Sequence, residues 1–272
     1  MTVTERYVSV GGQRLRVRVD RGTDPSAVPL VLCNGIGASL EVLDPFVEHL
    51  PGTTVIRFDV PGTGGSPTSF APYGFPYLAW VLGRLLNKLG FTVVDILGLS
   101  WGGALAQQFA FQNPRRCRRL VLVATGTGAV MIPGHPRVLA KMVTPKRFSN
   151  ASYAASIAGE LYGGTVRQHG DDIAKLFLQQ LHAGSKVGYV HQLLAGAVWT
   201  SIHALPAVRQ ETLIVAGTDD PIIPVANARI MNFLLPHSHL HLHSGGHVDL
   251  ITNAGELAPV IATFLNEPGE RA

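Results

Sequence analysis

The sequence predicts an α/β fold: a mostly parallel sheet of about eight strands, helices on both faces, and one long helical insertion. Three observations predict it. Short β-branched, apolar runs alternate with helix-like amphipathic runs along most of the 272 residues. Several of the strand-like runs are continuously apolar, as in strands covered on both faces. The interval between Ala124 and Thr212 breaks this rhythm yet stays rich in apolar residues, including Ile157, Leu161, Leu176, Phe177, Leu193, Val198 and Trp199.

The elements follow in order. Tyr7–Val10 and Leu15–Val19 read as strands joined by Gly11-Gly12 as a hairpin turn. Further strands are expected at Leu30–Cys33, Thr54–Asp59, Val93–Leu97, Leu120–Ala124, Thr212–Ala216 and Leu240–His243. Helical spacing falls on Leu40–Leu50, Tyr77–Leu89, Gly102–Phe111, Val225–Leu235 and Glu256–Leu265. Residues 130–206 read as a helical cap over the C-terminal edge of the sheet, leaving 1–129 and 207–272 as the core. Pro133, Pro136 and Pro145 mark its entry and Pro206 its exit.

Composition narrows the function classes. The chain is 46% hydrophobic and 15% charged, yet no apolar run approaches the ~20 residues that span a bilayer. The first seven residues lack the basic-then-apolar form of a signal peptide. Cys33 and Cys117 are too few for a disulfide framework, so a reducing cytoplasm is expected. The formal charge of +4 includes Arg115-Arg116-Cys117-Arg118-Arg119, read as cations closing the helix after Ser100. No nucleic-acid motif accompanies that run. The glycine turn at 58–66 lacks the strand-then-helix G-x-G-x-x-G context of a dinucleotide site and is read as structural.

Chemistry concentrates at Gly98-Leu99-Ser100-Trp101-Gly102. A buried strand precedes it and a run of helix formers follows. In that setting G-x-S-x-G forms a nucleophile elbow, with glycines where a sharp turn leaves no room for Cβ. A serine hydroxyl needs a base, and the base needs a carboxylate to orient it. His247 follows the last strand in a glycine turn and is the expected base. Asp219 and Asp220 compete for the acid position; the reading favours Asp220, with Asp219 as a solvated or loop-capping neighbour. Oxyanion donors are expected from the N–H of Trp101, at a helix N-terminus, and the N–H of Ile36, in the glycine loop after the third strand. His237, His239, His241 and His243 alternate on one strand face, which is expected to be wet or partly packed rather than a metal site. No metal and no cofactor is expected.

These features resemble the α/β-hydrolase superfamily across essentially the whole chain. The chain is most similar to its intracellular medium-chain-length polyhydroxyalkanoate depolymerases. The matching stretches are NGIGASLE at 34–41, FDVPGTGGS at 58–66, SWGGALAQQFA at 100–110, YGG at 162–164, WTSIH at 199–203 and DDPIIP at 219–224. The resemblance implies a triad of Ser100, Asp220 and His247, and substrate contacts at Gly35 and Trp199. At position 249 it implies an apolar residue where this chain has aspartate. Related polymer synthases carry cysteine at the nucleophile, so Ser100 points to hydrolysis; dehalogenases need a carboxylate there. The implied activity is hydrolysis of 3-hydroxy-acid esters through an acyl-enzyme. The implied substrate is a polyester, with association to intracellular polyester granules. A soluble-ester esterase, lactonase or carbon–carbon bond hydrolase is the alternative on the same fold, and a silent granule- or ligand-binding module the alternative of another class. Few charges lie between Gly188 and Leu205, so the insertion is expected to form an acyl pocket favouring medium chains.

Overall fold

The computed structural model describes residues 2–143, 146, 150–167 and 184–267. Pro145, Leu176 and Phe177 of the expected insertion lie outside them. Eight strands form one sheet: β1 (Thr2–Val10), β2 (Gln13–Arg21), β3 (Leu30–Cys33), β4 (Val55–Phe58), β5 (Val94–Leu99), β6 (Cys117–Val123), β7 (Glu211–Gly217) and β8 (Ser238–His243). Their order across the sheet is β1-β2-β4-β3-β5-β6-β7-β8. The β1–β2 and β2–β4 pairings are antiparallel and the rest are parallel. β3 to β7 are buried almost throughout because helices cover both faces.

The helices among the described residues are α1 (Asp44–Val47), α2 (Phe75–Leu89), α3 (Trp101–Gln112), α4 (Pro136–Met142), α5 (Ala151–Tyr162), α6 (Lys186–Val198), α7 (Ala226–Leu234), α8 (Asp249–Thr252) and α9 (Ala254–Asn266). Val17, Ile56, Ile96 and Leu122 point to the core face shared with α2 and α3, where Phe75, Leu82 and Phe109 are fully buried. Leu32, Val55, Leu97 and Val121 point to the opposite face, against α1, α8 and α9. Burying one such side chain contributes about 1.5–3 kcal/mol, and truncating Phe109 to alanine is expected to cost about 3–5 kcal/mol.

Three local expectations differ from the structure. β1 begins at Thr2 rather than Tyr7, because its first residues are exposed at the sheet edge and show no apolar pattern. The expected helix over 40–50 is a 3-10 turn at Leu40–Leu43 followed by the short α1. Pro45 has no N–H to offer Glu41, which ends the first element.

The arginine run does not close α3, whose last turn holds no basic residue; the helix stops before Pro114. Arg116 instead donates to the Gly83, Phe91 and Thr92 carbonyls. Arg118 pairs with buried Asp95 and donates to Leu265 O at 2.8 Å. Arg119 donates to Phe264 O and Glu267 O. The two β6 arginines therefore satisfy carbonyls at the end of α9, 145–148 residues away along the chain.

Between β6 and β7 the chain leaves the sheet to form α4, α5, a 3-10 turn at Gly164–Arg167, and α6. Gln192 on α6 accepts from Gly37 N at 2.9 Å and donates to Thr63 Oγ1. Gly188 packs against Gly62, where a Cβ on either would lie 2.5 Å from the other's Cα. These contacts fasten α6 to loops that follow β3 and β4.

Candidate active site

Ser100 sits between β5 and α3 with φ 53° and ψ −118°, a left-handed backbone that a side chain rarely adopts. The surroundings hold it there. Ser100 N donates to Val123 O at 2.9 Å, and Ser100 O accepts from Thr125 Oγ1 at 2.7 Å. A Cβ on Gly98 would stand 2.4 Å from Gly102 O, and one on Gly102 would stand 2.0 Å from Cys33 O. Both flanking glycines are therefore required by the turn, as the sequence predicted.

The turn aims Ser100 Oγ at His247 Nε2, 2.9 Å away. His247 Nδ1 lies 2.8 Å from Asp220 Oδ2. Asp220 Oδ1 in turn accepts from the N–H groups of Ile222 and Ile223, both at 2.9 Å. Asp220 and His247 are both buried. Asp219 points elsewhere, forming a two-pronged pair with Arg167 at 2.9 Å on each prong and accepting from Gly164 N. The Arg167 guanidinium beside it holds the Asp219 carboxyl below the usual carboxylate range.

Several amides of the loop after β3 are already engaged. Gly35 N is taken by Asn34 Oδ1, Gly37 N by Gln192, and Ala38 N by Gly35 O. Among the described residues Ile36 N has no such partner, and neither does Trp101 N at the start of α3. Both residues line the cavity that opens at Ser100. Gly35 lies against Ser100, with space where its Cβ would point.

Two cavities meet at Ser100. The larger, about 340 Å³, is lined by Phe75, Trp101, Ala104, Met131, Leu193, Gly196, Ala197 and Trp199 among others. Trp199 is held by its indole N–H on Gln108 and by ring contact with Phe75. Trp101 donates its indole N–H to Gln192 O at 2.9 Å. The smaller cavity, about 50 Å³, is lined by Asn34, Gly35, Val42, Leu99, Tyr162, Val248 and Ile251 among others. Ile36 and Ser100 border both.

Chemically, the arrangement offers a hydroxyl with an imidazole proton acceptor, a carboxylate to hold that imidazole, and unpaired amides beside the hydroxyl. Those are the parts of acyl transfer. The structure thus brings Ser100, Asp220, His247, Ile36, Trp101, Gly35 and Trp199 to one place. Sequence reasoning missed Asn34 and Gln192, which occupy the competing amides of the loop. Gln192 carried no local signal: it stands beside His191 on α6, and Gly37 is 155 residues away.

Asp249 is buried at the first turn of α8. Its Oδ1 accepts from Gly246 N at 3.0 Å, while Oδ2 has no hydrogen-bond partner among the described residues and lies 3.7 Å from His243 Nδ1. Burial pushes the Asp249 carboxyl up and pulls the His243 imidazole down. His239 is exposed and His241 and His243 are half-buried along β8. Among the described residues no three His, Cys, Asp or Glu side chains converge as a metal would require. Cys33 and Cys117 are buried free thiols, both pushed up by burial. No described helix is long and apolar enough to cross a membrane.

Residues 28–254 match the sequence model of the alpha/beta hydrolase fold family. A poly(3-hydroxyalkanoate) depolymerase from Ectopseudomonas oleovorans is 46% identical over 268 residues, covering 98% of this chain and 94% of that protein. A 2-hydroxy-6-oxo-2,4-heptadienoate hydrolase from Pseudomonas putida is 28% identical, covering 79% of this chain and 80% of that one. Among solved structures, an enol-lactonase from Burkholderia xenovorans superposes with a TM-score of 0.84 at 22% identity, covering 96% of this chain and all of that one. That last likeness concerns the fold.

Proposed function

This chain belongs to the α/β-hydrolase fold family, and on that premise we propose that it is an intracellular serine hydrolase degrading polyesters of medium-chain 3-hydroxy acids. The observation that carries the chemistry is the relay from Ser100 Oγ through His247 to Asp220, at 2.9 and 2.8 Å, opening into an apolar cavity of about 340 Å³. The substrate class rests on the 46% identity to a poly(3-hydroxyalkanoate) depolymerase. Two buried free thiols suit a reducing cytoplasm.

In this mechanism His247 Nε2 takes the Ser100 proton as Oγ attacks the ester carbonyl carbon. Asp220 holds the imidazole by its Nδ1–H and stabilises the imidazolium. The N–H groups of Ile36 and Trp101 receive the oxyanion. As the intermediate collapses, the bond to the leaving oxygen breaks and His247 returns its proton to that alkoxide. A water, deprotonated by the same imidazole, then cleaves the acyl-serine, releasing a 3-hydroxy acid and restoring Ser100. Residues 130–206 act as the cap, and the small side chains of α6 leave room for the alkyl branch of each monomer.

The deciding experiment is a panel from soluble chromogenic esters to granules of short-chain and medium-chain polymer, run beside fluorophosphonate labelling. Labelling at Ser100 with monomer release from medium-chain granules is expected. Labelling with hydrolysis of soluble esters only would reduce the reading to an esterase. Absence of both would remove the enzyme.

A further inference from the structure

The segment Tyr162–Arg167, which leaves α5 through the 3-10 turn, threads between the loop bearing Asp220 and the loop bearing His247. Two glycines make the passage possible. Gly163 and Gly164 have φ of 65° and 52°; a Cβ on Gly163 would stand 2.0 Å from Asp219 O, and one on Gly164 would stand 2.4 Å from Gly246 N. Only chain without side chains passes there.

Each loop is then tied to the strap. Tyr162 O accepts from His247 N at 2.7 Å. Gly164 N donates to Asp219 Oδ2 at 2.7 Å, and the Arg167 guanidinium grips both Asp219 oxygens. The loops also touch one another, since Asp219 N donates to Gly245 O at 3.0 Å. The strap thus bonds to the backbone of His247 itself and to the residue before Asp220.

We propose that the Tyr162–Arg167 strap, locked by the Arg167–Asp219 pair, sets the register between Asp220 and His247, making Arg167 and Asp219 positioning residues of the relay. Neither touches the reacting atoms. The pair is solvent-facing, with side-chain exposures of 48% and 43%, so it contributes little to stability on its own. What it holds is a distance, and small misplacements of a catalytic group cost far more in rate than in stability. The proposal rests on the hydrolase reading for its kinetic consequence, but its geometric core does not.

The test compares Arg167→Ala, Asp219→Ala and the double variant with Glu160→Gln, which removes another exposed ion pair, to Lys141, on the same insertion. The low-field proton resonance of the His247 Nδ1–H reads the relay whether or not an ester is cleaved. It should weaken or vanish in both single variants and persist in Glu160→Gln. With a soluble ester, kcat and the fluorophosphonate labelling rate should each fall about tenfold, with KM within twofold and melting temperature nearly unchanged. The double variant should be no worse than Asp219→Ala alone, because Arg167 reaches the loop only through Asp219, whereas Asp219 also accepts from Gly164 N. Arg167→Lys should recover part of the loss. A retained resonance with kcat within twofold would overturn the proposal, as would a loss confined to KM or one equalled by Glu160→Gln. A wild-type protein that shows the resonance but neither labels nor hydrolyses would instead refute the hydrolase reading, leaving the resonance comparison to decide the strap.

Discussion

The two cavities that meet at Ser100 are walled by different parts of the chain. The small one is enclosed chiefly by the loop after β3, with Leu99 of β5, Val248 and Ile251 beside His247, and Met142 and Tyr162 from the insertion. The large one has Trp101 and Ala104 of α3 on one side and Leu193, Gly196 and Ala197 of α6 on the other. α6 reaches the sheet edge through few polar contacts, chiefly those of Gln192. The difference separates two tasks. Ser100 is placed by the end of β5 and the start of α3, whereas one wall of the large cavity comes from α6, which lies outside the ladder.

The most severe way to break this comparison is to remove what both cavities share. Ser100→Ala deletes one oxygen and no core contact, so the fold should persist by circular dichroism while turnover falls by at least about 10⁴. Filling only the large cavity should separate chain lengths. Ala197→Trp should lower kcat/KM on 3-hydroxyoctanoyl esters by one to two orders of magnitude and leave 3-hydroxybutyryl esters within about threefold. Three or four methylenes at up to ~0.8 kcal/mol each set that scale. Filling the small cavity should not discriminate. Gly35→Ala places a methyl 3.9 Å from Ser100 Cβ and should slow both esters equally, by roughly tenfold.

The smallest effect concerns the wall beneath the small cavity, where α8 carries buried Asp249. Its carboxyl titrates above the usual range in the folded chain, so the native state holds that proton more tightly than the unfolded state does. Stability from this group is therefore lost as pH rises from the ordinary carboxylate range through the raised one. Asp249→Asn keeps an acceptor for Gly246 N without the charge. It should gain about 1 kcal/mol at pH 8 by chemical denaturation, and the gain should close towards pH 4.

The same division governs what could be read from the sequence. β3 to β7 were legible because each is a buried run with turn residues at its ends. Ser100 was legible because strand, glycines and helix formers are local signals. Asp220 was separable from Asp219 only through the direction that Pro221 imposes on the chain, and the structure puts them in different networks. Gln192 and Arg167 were not legible, since their partners lie 155 and 52 residues away and no local pattern encodes such a meeting. The arginine run misled for a related reason. Its charges do satisfy carbonyls at a helix end, but of a helix far along the chain. Asp249, where the resemblance implies an apolar residue, accepts from Gly246 N in the loop before His247.

That reach from β6 to the end of α9 bears on how the protein comes into being. Arg118 and Arg119 belong to the middle of the sheet, yet the carbonyls that complete them arrive 145–148 residues later. A ribosome will have delivered β1 to β6 long before those carbonyls emerge. Until β7 (Glu211–Gly217) follows, the flank of β6 that receives it is an open edge, able to pair with another chain. Contacts of such separation also slow closure of the native topology. The hydrogen bonds of Arg118 and Arg119 to the end of α9 can therefore form only once residues 264–267 have left the exit tunnel.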